Sequence, residues 1–132
     1  MTRSKSHFLL TVVLGVACLL AAPGATAQNW ITLLKNTPAE SFDDEDLRLF
    51  LDTARKVLDG GTPENQPLSW ENPKSRNRGE MTVLRRFESK GRACTEVRVR
   101  NESRSRKSDN RRILCKVDER WRLVSEAQLK GK

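Results

Sequence analysis

The apolar residues of this chain change their period at Pro67, and that change restricts the possible fold more than any other feature. Before it, Leu47, Phe50, Leu51, Ala54, Val57 and Leu58 recur at offsets of three and four, which gathers them into one stripe along a helix. Ser41 or Asp43 is placed to cap the free amides, Asp43-Asp44-Glu45-Asp46 sits at the positive end of the helix dipole, and Gly60-Gly61 supplies a left-handed stop. The spacing therefore predicts an amphipathic helix within residues 41–61. Neighbouring carboxylates in a first turn splay around the helix axis, so the acidic run reads as capping and not as a metal site.

After Pro67 the chain breaks into short β-prone runs: Leu68-Ser69-Trp70, Met81 to Phe87, Ala93 to Asn101, Arg111 to Val117 and Trp121 to Val124. The long polar stretch from Asn72 to Gly79, then Gly91, the segment Glu102 to Asn110, and Asp118-Glu119-Arg120 mark the turns between them. Residues 67–125 thus read as an antiparallel meander of four or five strands, with a tail over residues 126–132. One amphipathic helix packed on such a sheet makes an α+β domain. Trp70 and Trp121 fall near the sheet ends, where their large apolar area would anchor the helix; the alternative is a ligand-stacking role.

Arg3 and Lys5, the apolar run from Phe8 to Leu20, and the closing Ala25-Thr26-Ala27 have the layout of a cleaved signal peptide over residues 1–27. Pro23 and Gly24 interrupt the run before it reaches the roughly 20 residues that a membrane span needs, so no transmembrane helix is expected in the mature chain. A second reading makes Cys18 the lipid-modified first residue of a lipoprotein, although Gly15 stands where that signal has an aliphatic residue. In the lead segment 28–40, Trp30, Ile31, Leu33 and Leu34 form either a short docked turn or a loose arm.

Export leaves Cys94 and Cys115 as an even pair in an oxidising compartment, with one intramolecular connectivity; the alternative is two buried thiols. The faces of the strands complicate the pairing. Ala93, Thr95, Val97 and Val99 alternate with Cys94, Glu96, Arg98 and Arg100, which puts Cys94 on a charged face, whereas Cys115 shares its face with Ile113 and Val117. A bridge needs both Cβ atoms on one face, so the pattern predicts a bulge near Cys94 to Glu96.

Charge and missing residue types narrow the chemistry. Residues 28–66 hold eight carboxylates against four basic side chains, and residues 67–132 hold nine against nineteen, so the basic excess lies wholly in the second segment. The single histidine is His7, in the signal, and there is no tyrosine. Histidine-based acid/base catalysis, a histidine-activated nucleophile and a histidine zinc site are therefore excluded from the mature chain. No glycine-rich phosphate loop is present, and neither a cofactor nor a metal is expected. Catalysis would have to rest on two carboxylates, as in a glycan hydrolase; Glu71, Glu80, Glu88 and Glu96 form no distinctive pair, so the sequence points away from an enzyme.

Arg98, Arg100, Arg104, Arg106, Lys107, Arg111 and Arg112 lie on two strands and the hairpin joining them, projecting along one rim. They are candidate anion-binding residues for lipopolysaccharide, phospholipid head groups or acidic glycans. The competing reading is a solvated edge kept from aggregating. Aromatic platforms are absent around the cluster, and nucleic acid is not an expected partner.

The stretch Trp70-Glu71-Asn72-Pro73-Lys74-Ser75-Arg76-Asn77-Arg78-Gly79 resembles the Trp-x-Asn-Pro-x-Ser/Thr-Gly-x-x-Gly signature of the 17 kDa outer-membrane surface antigen family. Cys94-Thr95-Glu96-Val97, then Leu114-Cys115-Lys116 and Trp121-Arg122-Leu123, follow in the family order. Arg76, Thr95 and Arg120 replace the family's glycine, arginine and glycine. With Trp70, Asn72, Pro73, Gly79 and Trp121 as motif residues, the resemblance implies a periplasmic or outer-membrane-associated protein without a defined activity. The functional expectation is a structural or interaction role in a bacterial envelope, with a basic hairpin against anionic components. The alternative is a periplasmic protein-binding module such as an inhibitor or assembly partner.

Overall fold

In the computed structural model, which describes residues 36–130, the chain enters through a 3-10 turn, Pro38–Ser41, where the Thr37 hydroxyl accepts from the Ala39 amide at 3.2 Å. The readings placed on the signal segment 1–27, on Cys18 and on Trp30 to Leu34 lie outside the described residues. The helix α1, Asp44–Asp59, starts at Asp43 and not Ser41. Asp43 accepts from the Asp46 amide at 2.8 Å while the Asp46 carboxylate accepts from the Asp43 amide at 3.0 Å, a reciprocal capping box. At the other end the Gly60 amide donates to the Lys56 carbonyl, and Gly61 takes φ +69°, open to a residue without a Cβ.

Five antiparallel strands follow in strict chain order: β1 Pro67–Glu71, β2 Arg78–Ser89, β3 Arg92–Glu102, β4 Lys107–Val117 and β5 Arg120–Val124. The expected α+β architecture is present. Strands β3 and β4 extend into the segment expected as a turn, because Glu102 pairs with Lys107 and Asn101 with Ser108. The hairpin tip therefore shrinks to residues 103–106. The tail is also more ordered than its composition suggests, forming a short helix α2, Glu126–Lys130.

The stripe on α1 packs as its period requires. Phe50, Ala54, Val57 and Leu58 meet Trp70, Met81, Val83, Val97, Val99 and Leu114 on the inner face of the sheet. Phe42 and Phe50 stand edge-on to the Trp70 ring, with centroids 5.1 and 6.5 Å away. Trp121 packs against the same cluster, and its indole N–H donates to Asp59 Oδ1 at 2.8 Å, tying the last turn of α1 to the edge strand. Both tryptophans thus serve the core.

Cys94 and Cys115 are bonded and face each other directly in register, with Cα atoms 4.0 Å apart. The bulge predicted at Cys94 to Glu96 is absent. Pairing of β3 with β4 runs unbroken from Cys94 to Glu102, and both cysteines lie on the outer face, away from α1. That face carries its own apolar cluster of Cys94, Ile113 and Cys115, with Phe87, Val124 and Leu129 of α2 packed on it. A charged strand face thus passes into a second small core, and no twist of β3 is needed to bring the cysteines together.

The irregularity lies instead in β2, where the register shifts between Val83 and Arg85. Leu84 is the extra residue. It keeps Val83 in the main core while turning Phe87 opposite Cys94, onto the disulfide face.

Candidate functional site

The β1–β2 connection is built around a buried carboxylate from the distant helix. Asp46, fully shielded from solvent, accepts from Asn72 Nδ2 at 2.7 Å, Ser75 Oγ at 2.6 Å and Asn77 Nδ2 at 2.7 Å, besides the Asp43 amide. Burial opposes ionisation of this group, but the hydrogen bonds outweigh it and hold Asp46 below the ordinary aspartate range. The Asn72 side chain also accepts from the Lys74 amide, and the Ser75 hydroxyl from the Asn77 amide. Polar residues of the motif stretch therefore make one fixed turn. Arg76 within it adopts φ +65° and remains exposed.

Gly79 closes the turn onto the sheet. It lies between Trp70 and Asn101 in the register, and a Cβ there would collide with the Trp70 indole nitrogen, the Asn101 amide oxygen and the Arg100 carbonyl. The motif glycine is thus demanded by close packing of its neighbours' side chains.

The basic hairpin does not form one rim of free cations. Arg98, Arg100, Lys107 and Arg111 lie on the outer face, while Arg112, opposite Val97, belongs to the inner one. Asp109 accepts from Arg98 and, at 3.3 Å, from Arg100; Arg100 also donates to Glu80 at 3.2 Å. Glu102 is shared by Arg78 at 3.0 Å and Lys107 at 3.2 Å. Arg106 sits 3.7 Å from Glu40, and Arg112 donates to the Arg111 carbonyl. Arg104 and Arg111 have no acidic partner among the described residues.

These ion pairs floor and wall a trough of about 610 Å³ on the outer face near the 103–106 turn, to which four strands contribute. Its charged lining consists of Glu71, Glu80, Glu102 and Asp109 against Arg78, Arg100 and Lys107. On a basic protein, this trough is slightly acidic. The Arg98 guanidinium, with Arg100 behind it, pushes Asp109 down to about 2, and Arg78 with Lys107 lowers Glu102. A glycosidase's general acid needs the opposite shift, so these two carboxylates are unsuited to that role. Among the described residues no cluster of histidine, cysteine, aspartate or glutamate is placed to hold a metal ion, and no helix is long and apolar enough to cross a membrane.

Asp46 and its partners escaped the sequence reading, which assigned the whole acidic run to capping. The available signal was the density of short polar side chains at Asn72, Ser75 and Asn77 in a turn that no helix or strand explains. Lys74, Arg76 and Arg78 were likewise missed as cations of the same end of the sheet. No family model, curated protein or solved structure matches the chain at a level that shows kinship.

Proposed function

We propose that this chain is an exported bacterial envelope protein, periplasmic and associated with the outer membrane, that acts by binding and not by catalysis. Its target is an anionic envelope component, met by the turn between β3 and β4. The observation that carries this reading is the exposed pair Arg104 and Arg106 at that turn, followed by Lys107. A buried Cys94–Cys115 bridge supports an oxidising compartment. The resemblance of the Trp70 to Gly79 stretch to the surface antigen signature supports an envelope location.

The test is binding to anionic lipid vesicles or lipopolysaccharide by the wild type and by R104S/R106S/K107S. Loss of most binding in the triple variant is expected; unchanged binding rejects the contact. A second reading, a module that binds an envelope protein, is favoured by the trough, whose ion-paired walls are preorganised for a partner of mixed charge. Crosslinking in intact envelopes that yields no reproducible protein partner would count against it.

A further inference from the structure

We infer that the β1–β2 turn, through Arg76, is the second half of the anion-contacting surface, and that this surface is shaped for a phosphate-bearing lipid layer. The inference rests on the binding role proposed above. Register places the two turns side by side: Arg78, which ends the first, pairs with Glu102, which begins the second. Residues 72–78 and 103–107 together hold six cations, Lys74, Arg76, Arg78, Arg104, Arg106 and Lys107, and no carboxylate.

Three of these cations are committed. Arg78 and Lys107 hold Glu102, and Arg106 approaches Glu40. Lys74, Arg76 and Arg104 have no acidic partner among the described residues and lie on adjacent turns. Arg76 is held there at a conformational cost. Its φ of +65° is left-handed, where glycine or asparagine sits readily and arginine does not. Ser75 and Asn77 on either side are anchored to Asp46, so the turn cannot relax without giving up those bonds. Lys90, Asp118 and Glu119 take the same region in other turns; at Arg76 the left-handed backbone fixes an exposed guanidinium without an acidic partner beside the second turn.

The shape of the site selects the partner. A small anion needs a cradle, and the trough, which Arg78 and Lys107 help to line, carries four carboxylates against three cations. Cations spread over two neighbouring turns instead suit an extended anionic plane, to which each basic residue adds independently.

The experiment is co-sedimentation with phosphatidylglycerol-containing vesicles and with phosphatidylcholine vesicles, using the full mature chain. R76G is expected to raise the melting temperature by releasing the left-handed strain, and to weaken binding about five-fold, the value of one cation at such a surface. R76K, which keeps both charge and strain, is expected to bind like the wild type. If R76G binds as tightly as the wild type while R104S/R106S/K107S fails, the inference falls and the proposed function stands. If the wild type does not distinguish the two vesicles, both fall. Weaker binding of R76G with a lowered melting temperature would assign Arg76 a merely structural role, overturning the inference. Competition by inorganic phosphate beyond that of chloride at equal ionic strength would mean a discrete anion pocket and would overturn it too.

Discussion

Asp46 is an ion in the interior with no cation against it. It is tolerated because four donors, three of them side chains from a turn 26 to 31 residues away, converge on its two oxygens. The same bonds make helix α1 and the β1–β2 turn one unit, so a carboxylate of the helix's capping box also sets the shape of a surface loop. Replacing it by asparagine removes the charge and leaves donor facing donor. D46N is expected to lose about 2 kcal/mol at neutral pH, read as a shift in the denaturant midpoint. The pH dependence has a defined sign. Because the folded state lowers the pKa of Asp46, its contribution is complete above the ordinary aspartate range and is lost as the pH falls through the folded value. The stability gap between wild type and D46N should therefore narrow below about pH 4. A gap that widens in acid would contradict the assignment.

At the scale of elements, the two faces of the sheet are stabilised by different means. The inner face depends on burial of α1, whereas the outer face depends on a disulfide, four apolar residues packed around it and a ladder of ion pairs. Exposed pairs contribute little each, so the bridge and the apolar residues around it carry most of the outer face's stability. Cys94 and Cys115 are 21 positions apart, and closing such a loop restricts the unfolded chain by about 3 kcal/mol. The double variant C94A/C115A is expected to lose roughly that amount while retaining its far-ultraviolet circular dichroism, since α1 and the inner core do not touch the bridge. A collapse of the whole spectrum under native conditions would mean that the two cores are not separable. The Leu84 bulge makes this arrangement possible, because it delivers Phe87 to the bridge without removing Val83 from the core.

For the molecule as a whole, charge is distributed by topology and not by sequence segment. Across the middle of the outer face, strands bring Arg98 and Arg100 to Asp109 and Glu80, but these pairs use carboxylates of the same segment and leave its basic excess in place. Cations without an acidic partner among the described residues lie on turns, such as Arg76 and Arg104, and on strands, such as Arg111, Arg120 and Arg122. Salt should therefore act unequally on binding and folding. Raising ionic strength from about 0.05 to 0.2 M shortens the screening length roughly two-fold, and attachment to anionic vesicles is expected to drop steeply over that range. The melting temperature is expected to change little, because exposed pairs contribute about 0–1 kcal/mol each. Salt-insensitive vesicle binding would exclude an electrostatic contact.

Helix α1, the meander and the pairing of two cysteines were legible in the residues, because period, turn chemistry and parity are local or countable properties. So were the core tryptophans. The chain also announced its cations, but not which would be neutralised: Arg98 and Asp109 are 11 positions apart and meet only because β3 and β4 align in one register. The side of Cys94 was legible from alternation, yet its meaning was misjudged, since Val124 and Leu129 convert part of that charged face into a core only after the chain has folded back. Asp46 was legible as a cap and illegible as the hub of a turn. Period two and period 3.6 tell each side chain which way it points; what it meets there depends on register, on one bulge and on long-range closure, and these belong to the tertiary structure alone.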